Sequence, residues 1–114
     1  MFQIEISIDR VTDYSSYPGW VECSFYDVYN NKHTFIEKIP AITSLDITPE
    51  SSFLQKDFIR CKLMKKKKDS AGRKIFTVST KKPDGIETAD GLTEFDLWEN
   101  QVSKWEKPKP YWER

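Results

Sequence analysis

Side chains that could perform nucleophilic or acid–base chemistry are sparse in this sequence of 114 residues. A nucleophilic site needs a base beside a serine, cysteine or threonine, and a third group that orients the base. The one imidazole, His33, follows the Asn30–Asn31 turn, and we expect it to be a solvent-exposed hairpin residue. The four glycines stand singly at turns, so no phosphate-cradling loop is indicated. We therefore predict no enzymatic activity, no catalytic residues and no cofactor.

Acidic side chains are concentrated between residues 84 and 99, where six carboxylates stand without a lysine or arginine. Their spacing is not that of an EF-hand calcium loop. The chain also has no Cys-x-x-Cys pair and no cysteine–histidine cluster, so we predict no metal site. The favoured interpretation is an acidic face that contacts a partner, formed by Asp84, Glu87, Asp90, Glu94 and Asp96.

Basic side chains precede this acidic run, with ten between residues 60 and 82 against the single acidic Asp69. A charged two-stranded ribbon could follow the phosphates of RNA or DNA. Aromatic side chains for base stacking are few in this segment, however, and lysines also keep sheet edges from aggregating. Nucleic-acid binding is therefore the second hypothesis, and it would use Lys62, Lys65, Lys66, Lys67, Lys68, Arg73 and Lys74.

The total charge of the chain is zero, but its N-terminal and C-terminal halves carry net charges of opposite sign. Residues 1–57 hold four basic and nine acidic side chains, whereas residues 58–114 hold fourteen and nine. Separated charge of this kind can steer a protein onto an oppositely charged partner. Aromatic side chains are the usual anchors at the centres of interfaces. The first hypothesis is therefore a non-catalytic protein-binding domain, with Tyr14, Tyr17 and Trp98 as its aromatic anchors.

Short alternating segments broken by turn residues must position these side chains. Phe2, Ile4, Ile6 and Ile8 alternate with polar residues, which is the period of a half-buried strand. Together with turn signals such as Pro18–Gly19, this pattern predicts six strands, at 1–10, 20–29, 33–39, 58–66, 73–81 and 93–98. The fold class is all-β, a small antiparallel six-stranded barrel or sandwich. The barrel is favoured, because closure removes sheet edges.

The sequence indicates one β domain, residues 1–100, followed by an aromatic, proline-containing tail, residues 101–114. Residues 41–57 lack a clear period and are compatible with a loop or one helical turn. Pro108 and Pro110 limit any helix in the tail to about Ser103–Lys107, so the tail is expected to be irregular or briefly helical. Its Trp105, Tyr111 and Trp112 are expected to dock on the domain itself or on a partner, and both alternatives stay open.

The sequence also bears on the cellular compartment and on the state of the two cysteines. It has no apolar run long enough for a transmembrane helix, and no basic start followed by an apolar segment. We therefore expect a cytoplasmic protein that does not bind membranes. Cys23 and Cys61 fall on predicted strands, where two buried free thiols are favoured and a disulfide between adjacent strands is the alternative.

Four segments carry a resemblance: Trp20–Cys23, Phe35–Pro40, Ile59–Cys61 and Gly91–Phe95. They resemble a group of small, uncharacterised bacterial β proteins across roughly residues 18–102, apart from Asp84, where the group has a tryptophan. This resemblance implies a similar length and a β fold, but no activity. Small proteins with strong charge poles are also similar in general character to bacterial immunity proteins, which cap the active site of a cognate toxin. That likeness implies that the acidic run 84–99 caps a basic site.

Overall fold

The computed structural model describes residues 1–107 and 112, and these form an antiparallel sheet that is curled into a half-barrel. The strand order is β3-β2-β1-β4-β5-β6, with β7 also paired to β1. One helical turn, α1, and a 3-10 turn at Glu99–Gln101 complete the fold. The strands and helix are β1 (Phe2–Asp13), β2 (Trp20–Tyr26), β3 (Lys32–Lys38), α1 (Ile39–Ile42), β4 (Gln55–Lys68), β5 (Lys74–Ser79), β6 (Glu94–Trp98) and β7 (Val102–Lys104).

The six strands expected from alternation are confirmed, and their inward faces build the core. In β1, Ile4, Ile6 and Ile8 are each at most 2 % exposed, while the residues between them face the other side of the sheet. Burial on alternate positions is the direct consequence of the two-residue period of a strand. The inward residues of the other strands join the same cluster, among them Val21, Cys23, Phe35, Ile59, Cys61, Val78, Phe95 and Leu97.

Two long strands change partners along their length, and this curls the sheet. Residues 2–8 of β1 pair with β4, whereas residues 7–13 pair with β2. In the same way, β4 pairs with β1 through residues 55–61 and with β5 through residues 62–68. A bulge between Leu63 and Lys65 interrupts the second ladder. Bulges of this kind raise the local twist and bend a strand, which brings the far edges of the sheet toward each other.

The edges of the sheet, β3 and β6, meet at a seam that is not a continuous ladder. Val28, after β2, donates its backbone N–H to the Asp96 carbonyl of β6 at 3.0 Å. Ala89 donates its N–H to the Thr34 carbonyl of β3 at 2.9 Å. Beneath these bonds the rings of Phe25 and Phe95 pack edge to face, with centroids 4.9 Å apart. The seam therefore closes the half-barrel through isolated hydrogen bonds and aromatic packing.

The tail differs from the irregular or briefly helical form that was expected. After the 3-10 turn, Val102–Lys104 form β7 and pair with Phe2–Ile4 of β1. They occupy the length of β1 that β2 leaves open, since β2 pairs only from Ser7 onward. Three residues are too few to show a period, so the sequence pattern could not reveal this strand. Pro108, Pro110 and Tyr111 lie outside the described residues.

Trp105 docks on its own domain, which decides one of the alternatives left open for the tail. Its backbone N–H donates to the Met1 carbonyl at 3.0 Å, and the guanidinium of Arg60 lies 5.2 Å from the centre of its ring.

Cys23 and Cys61 are buried free thiols, and burial is the main cause that raises the pKa of each to about 12. Among the described residues, no helix has the length and apolar character needed to cross a membrane.

Candidate functional site

An aromatic cleft of about 470 Å³ lies between two loops at one end of the sheet. The first loop joins β1 to β2, and the second consists of α1 and the residues that follow it. We call this site the aromatic cleft, and the lining residues that matter below are Tyr14, Tyr17, Pro18, Ile39, Leu45 and Asp46. Two of the three predicted aromatic anchors, Tyr14 and Tyr17, are thus brought together.

The first wall is a loop braced by its own hydrogen bonds. The Asp13 carboxylate accepts from the backbone N–H and the hydroxyl of Ser15, at 2.9 and 2.6 Å. Gly19 then closes a turn by donating its N–H to the Ser16 carbonyl at 3.0 Å. Gly19 has a φ of +86°, and a Cβ at this position would lie 2.9 Å from Cδ1 of Tyr14. The Tyr14 ring is therefore seated directly on the glycine backbone.

The second wall is anchored to the first. Ile39 donates its backbone N–H to the Gly19 carbonyl at 3.1 Å, which joins the two loops. Pro40 stands in the first turn of α1, where its missing N–H costs no helical hydrogen bond. Thr43 is buried, and its hydroxyl accepts from the Leu45 N–H at 3.0 Å. These contacts hold Leu45 at the mouth of the cleft.

The cleft lining includes several exposed aromatic and aliphatic side chains. Tyr17 is 96 % exposed, the largest value among the exposed large apolar residues of the described chain, and Tyr14 and Leu45 are each about half exposed. A concave site lined by such side chains is typical of an interaction surface rather than of a free surface.

The five predicted acidic residues do not share one environment. Asp84 accepts two bonds from the Arg60 guanidinium, at 2.6 Å from Nη2 and 3.1 Å from Nε. Asp96 lies in another part of the surface, where Lys67 contacts it at 2.9 Å. Glu87, Asp90 and Glu94 are exposed. Two of the five predicted carboxylates are thus paired with the basic segment, whereas Glu87, Asp90 and Glu94 make no ion pair within the described residues.

The predicted basic residues are also partly neutralised. Lys74 pairs with Glu99 at 3.6 Å, and Arg73 pairs with Asp69 at 2.7 Å while its guanidinium lies 4.4 Å from the ring centre of Trp98. Trp98 is thus covered by an arginine and does not line the aromatic cleft. The Lys66 ammonium lies 5.2 Å from the ring centre of Phe76. Lys62, Lys65 and Lys68 are exposed and have no ion pair within the described ranges.

His33 is not the exposed hairpin residue that the sequence suggested. Its side chain is 12 % exposed, its ring packs against Phe25 and Phe95, and its Nε2 lies 2.8 Å from Oδ2 of Asp27. The reason is register, since His33 is two residues from buried Phe35 and so faces inward on β3. The contact with Asp27 is the only hydrogen bond of the His33 side chain within residues 1–107 and 112, so no hydroxyl or thiol there is activated by it.

Asp96 is the centre of a polar cluster at the seam, formed by Asp96, Tyr29, Lys67 and Thr77. Its Oδ1 accepts from the Thr77 hydroxyl at 2.6 Å, and its Oδ2 accepts from the Tyr29 hydroxyl at 2.8 Å and from Lys67. Burial on its own would raise the pKa of Asp96, but the hydrogen bonds from Lys67, Thr77 and Tyr29 together hold that pKa below its usual value. The carboxylate is 16 % exposed and joins two edges of the sheet.

Several residues of these sites were not among the sequence predictions. Leu45 and Asp46 complete the aromatic cleft, and Asp27, Tyr29 and Thr77 complete the polar groups at the seam. Leu45 lies in the segment without a clear period, where no pattern separates an exposed leucine from a buried one. The spacing of His33 and Phe35 was a usable signal for the inward imidazole.

Comparisons with protein-family models, with curated proteins and with solved structures give no match to this chain. Function is therefore inferred from the surfaces themselves. Among the described residues, no group of three or more histidine, cysteine, aspartate or glutamate side chains could hold a metal ion. In the polar cluster the Asp96 carboxylate already accepts from Tyr29, Lys67 and Thr77, whereas the aromatic cleft presents apolar side chains to solvent.

Proposed function

We propose that the protein is a non-catalytic binding domain that recognises another protein through the aromatic cleft. More specifically, we propose an immunity-type protein that neutralises a cognate bacterial toxin by capping a surface of opposite charge. The observation that supports this proposal is the exposure of Tyr17, at 96 %, beside Tyr14 and Leu45 over a concave surface. Tyrosines are large and rigid, and they bury much area when a partner covers them.

Charge supports a basic partner. The first half of the chain, residues 1–57, supplies both walls of the aromatic cleft and carries nine acidic against four basic side chains. Glu87, Asp90 and Glu94 add three exposed carboxylates from the second half. A toxin that acts on nucleic acid has a basic, phosphate-binding active site, so an acidic capping protein would be steered toward it.

Replacing Tyr17 with serine is expected to weaken binding of the native partner by about tenfold or more, as loss of an interface anchor does. Partners that co-purify from the native cell are identified, and the purified partner is then titrated by calorimetry. Tyr26→Ser is the matched control, because Tyr26 is 54 % exposed on β2 and does not line the aromatic cleft. Equal affinities for wild type and Tyr17→Ser would contradict docking at the cleft.

A second candidate function is binding of RNA or DNA along β4 and β5. The observation that favours it is that Lys62, Lys65 and Lys68 are exposed and lack an ion pair among the described residues. Affinity should then fall steeply with salt, since lysines that contact phosphates release counterions.

Under this hypothesis, Lys65→Ala is expected to weaken binding alike for all sequences and to lower the salt slope by about one. The measurement is a fluorescence anisotropy titration with single-stranded RNA at several salt concentrations. Lys104→Ala on β7 is the control, since this exposed lysine lies on a different strand. Absence of binding at low salt would remove the candidate.

A further inference from the structure

The walls of the aromatic cleft carry negative charge without a balancing cation. Residues 13–19 and 39–47, which form the two loops, include Asp13 and Asp46 but no lysine, arginine or histidine. Asp46 lines the cleft, and it is exposed. Hydrogen bonds from the side chain and backbone of Ser15 lower the pKa of Asp13. A basic group that enters the cleft therefore meets no like charge on its lining.

The tyrosines of the cleft also lack the cations that cover other aromatic rings of this chain. Trp20, Phe76, Trp98 and Trp105 each have a lysine or arginine of the same chain over the ring, at 4.4 to 5.7 Å from its centre. The cation nearest in sequence to the second loop is Lys38, and its ammonium lies over Trp20. Within the described part of the chain, no such cation covers Tyr14 or Tyr17. The exposed Tyr17 ring, and the part of the Tyr14 ring that does not pack on Gly19, are therefore available to a cation from outside.

Three kinds of side chain could enter, and the lining discriminates between them. A purely apolar side chain would cover Leu45 but would desolvate the Asp46 carboxylate without giving it a partner, which is costly. An acidic side chain would face Asp46 with the same charge. An arginine or lysine can pack its aliphatic stem on Leu45 while its charged head reaches Asp46 and a tyrosine face. Arginine suits the site better, because its planar head stacks on aromatic rings.

We propose that the aromatic cleft is a recognition pocket for a basic side chain, an arginine in preference to a lysine, presented by the partner protein. This proposal rests on the proposed function and names the chemistry that the partner must bring to the site. Tyr14 and Tyr17 supply aromatic faces, Leu45 supports the stem, and Asp46 pairs with the charge.

The test uses short peptides that differ at one central position, which is arginine, its uncharged isostere citrulline, or glutamate. Each is titrated into the isotope-labelled full chain, and backbone amide shifts are followed by NMR. The arginine peptide should shift amides of residues 14–19 and 43–47 in a saturable way. It should bind about fivefold or more tightly than the citrulline peptide, as loss of a cation–π contact and an ion pair implies. The glutamate peptide should leave these amides unmoved.

Asp46→Asn should reduce the preference for arginine over citrulline while leaving the citrulline affinity unchanged. Glu50→Gln is the matched control, because Glu50 is an exposed carboxylate of the same region that does not line the cleft. Equal affinities for arginine and citrulline, shifts confined to other acidic residues, or no shift at all would each overturn the proposal. The titration of the native partner against Tyr17→Ser tests separately whether a protein docks at the cleft. The peptide experiment can therefore fail while that proposal still stands.

Discussion

Replacing Asp96 with alanine is expected to lower the free energy of unfolding by about 3 kcal/mol, since hydrogen bonds to a charged group and a partly buried ion pair are lost together. The carboxylate accepts from Tyr29, Lys67 and Thr77, and the Thr77 hydroxyl is buried. Tyr29 and Lys67 can turn to water, but Thr77 is left without its acceptor. The substitution also removes the side-chain bond from Tyr29 across the seam, while the backbone bond from Val28 to the carbonyl of residue 96 is kept.

The effect of this substitution should depend on pH in a defined direction. Hydrogen bonds hold the folded-state pKa of Asp96 below its usual value, despite the opposing effect of burial. A lowered folded-state pKa gives stability that is present above the unfolded value of about 3.9 and is lost as pH falls through the folded value. The difference between wild type and Asp96→Ala should therefore be largest at neutral pH and should shrink in acid.

Urea denaturation at neutral and acidic pH measures these differences, and hydrogen exchange of the Val28 amide reports on the seam. Glu94→Ala is the control, because Glu94 is exposed on the same strand and makes no ion pair within the described ranges. It should change stability by less than about 0.5 kcal/mol. If the stability difference between wild type and Asp96→Ala stayed constant from neutral pH into acid, the ionised Asp96 carboxylate would not be the group that stabilises the seam.

Gly19→Ala is expected to cost about 2 to 3 kcal/mol of unfolding free energy, from backbone strain and from steric overlap. Gly19 is buried and has a φ of +86°, which L-residues with a Cβ rarely adopt. The added Cβ would lie 2.9 Å from Cδ1 of Tyr14 and 3.1 Å from Cδ1 of Ile39. The Tyr14 ring must therefore move away from its seat, which also changes the shape of the aromatic cleft.

A second glycine separates the two causes. Gly72 has a similar φ of +81°, but nothing lies within 4 Å of a Cβ placed there. Gly72→Ala should therefore cost only the backbone strain, about 1 kcal/mol. Thermal and urea denaturation give the two costs, and amide shifts of residues 14–18 show whether the Tyr14 wall moves. Equal costs at the two glycines would mean that the Tyr14 ring is not packed on Gly19.

The charge pattern shows how far sequence order can mislead about a surface. Residues 60–82 are strongly basic and residues 84–99 strongly acidic, which suggested two opposite poles. In the fold, Arg60 pairs with Asp84, Lys67 with Asp96 and Lys74 with Glu99. The physical reason is that β4, β5 and β6 follow each other in the sheet, and this brings the basic segment close to the β5–β6 loop, to β6 and to the turn after it.

Local sequence patterns were enough to predict the all-β class, most strand positions and most inward residues, because burial on a pleated strand follows a period of two that neighbouring residues express. They also suggested Tyr14 and Tyr17 as interface anchors; the structure places both on one cleft, and their role as anchors stays a prediction. Contacts between distant segments set the half-barrel, the pairing of β7 with the open length of β1, and the approach of Tyr14 to Leu45 and Asp46. Those contacts join residues far apart in the chain, and their formation depends on register and sheet curvature, which no local pattern encodes.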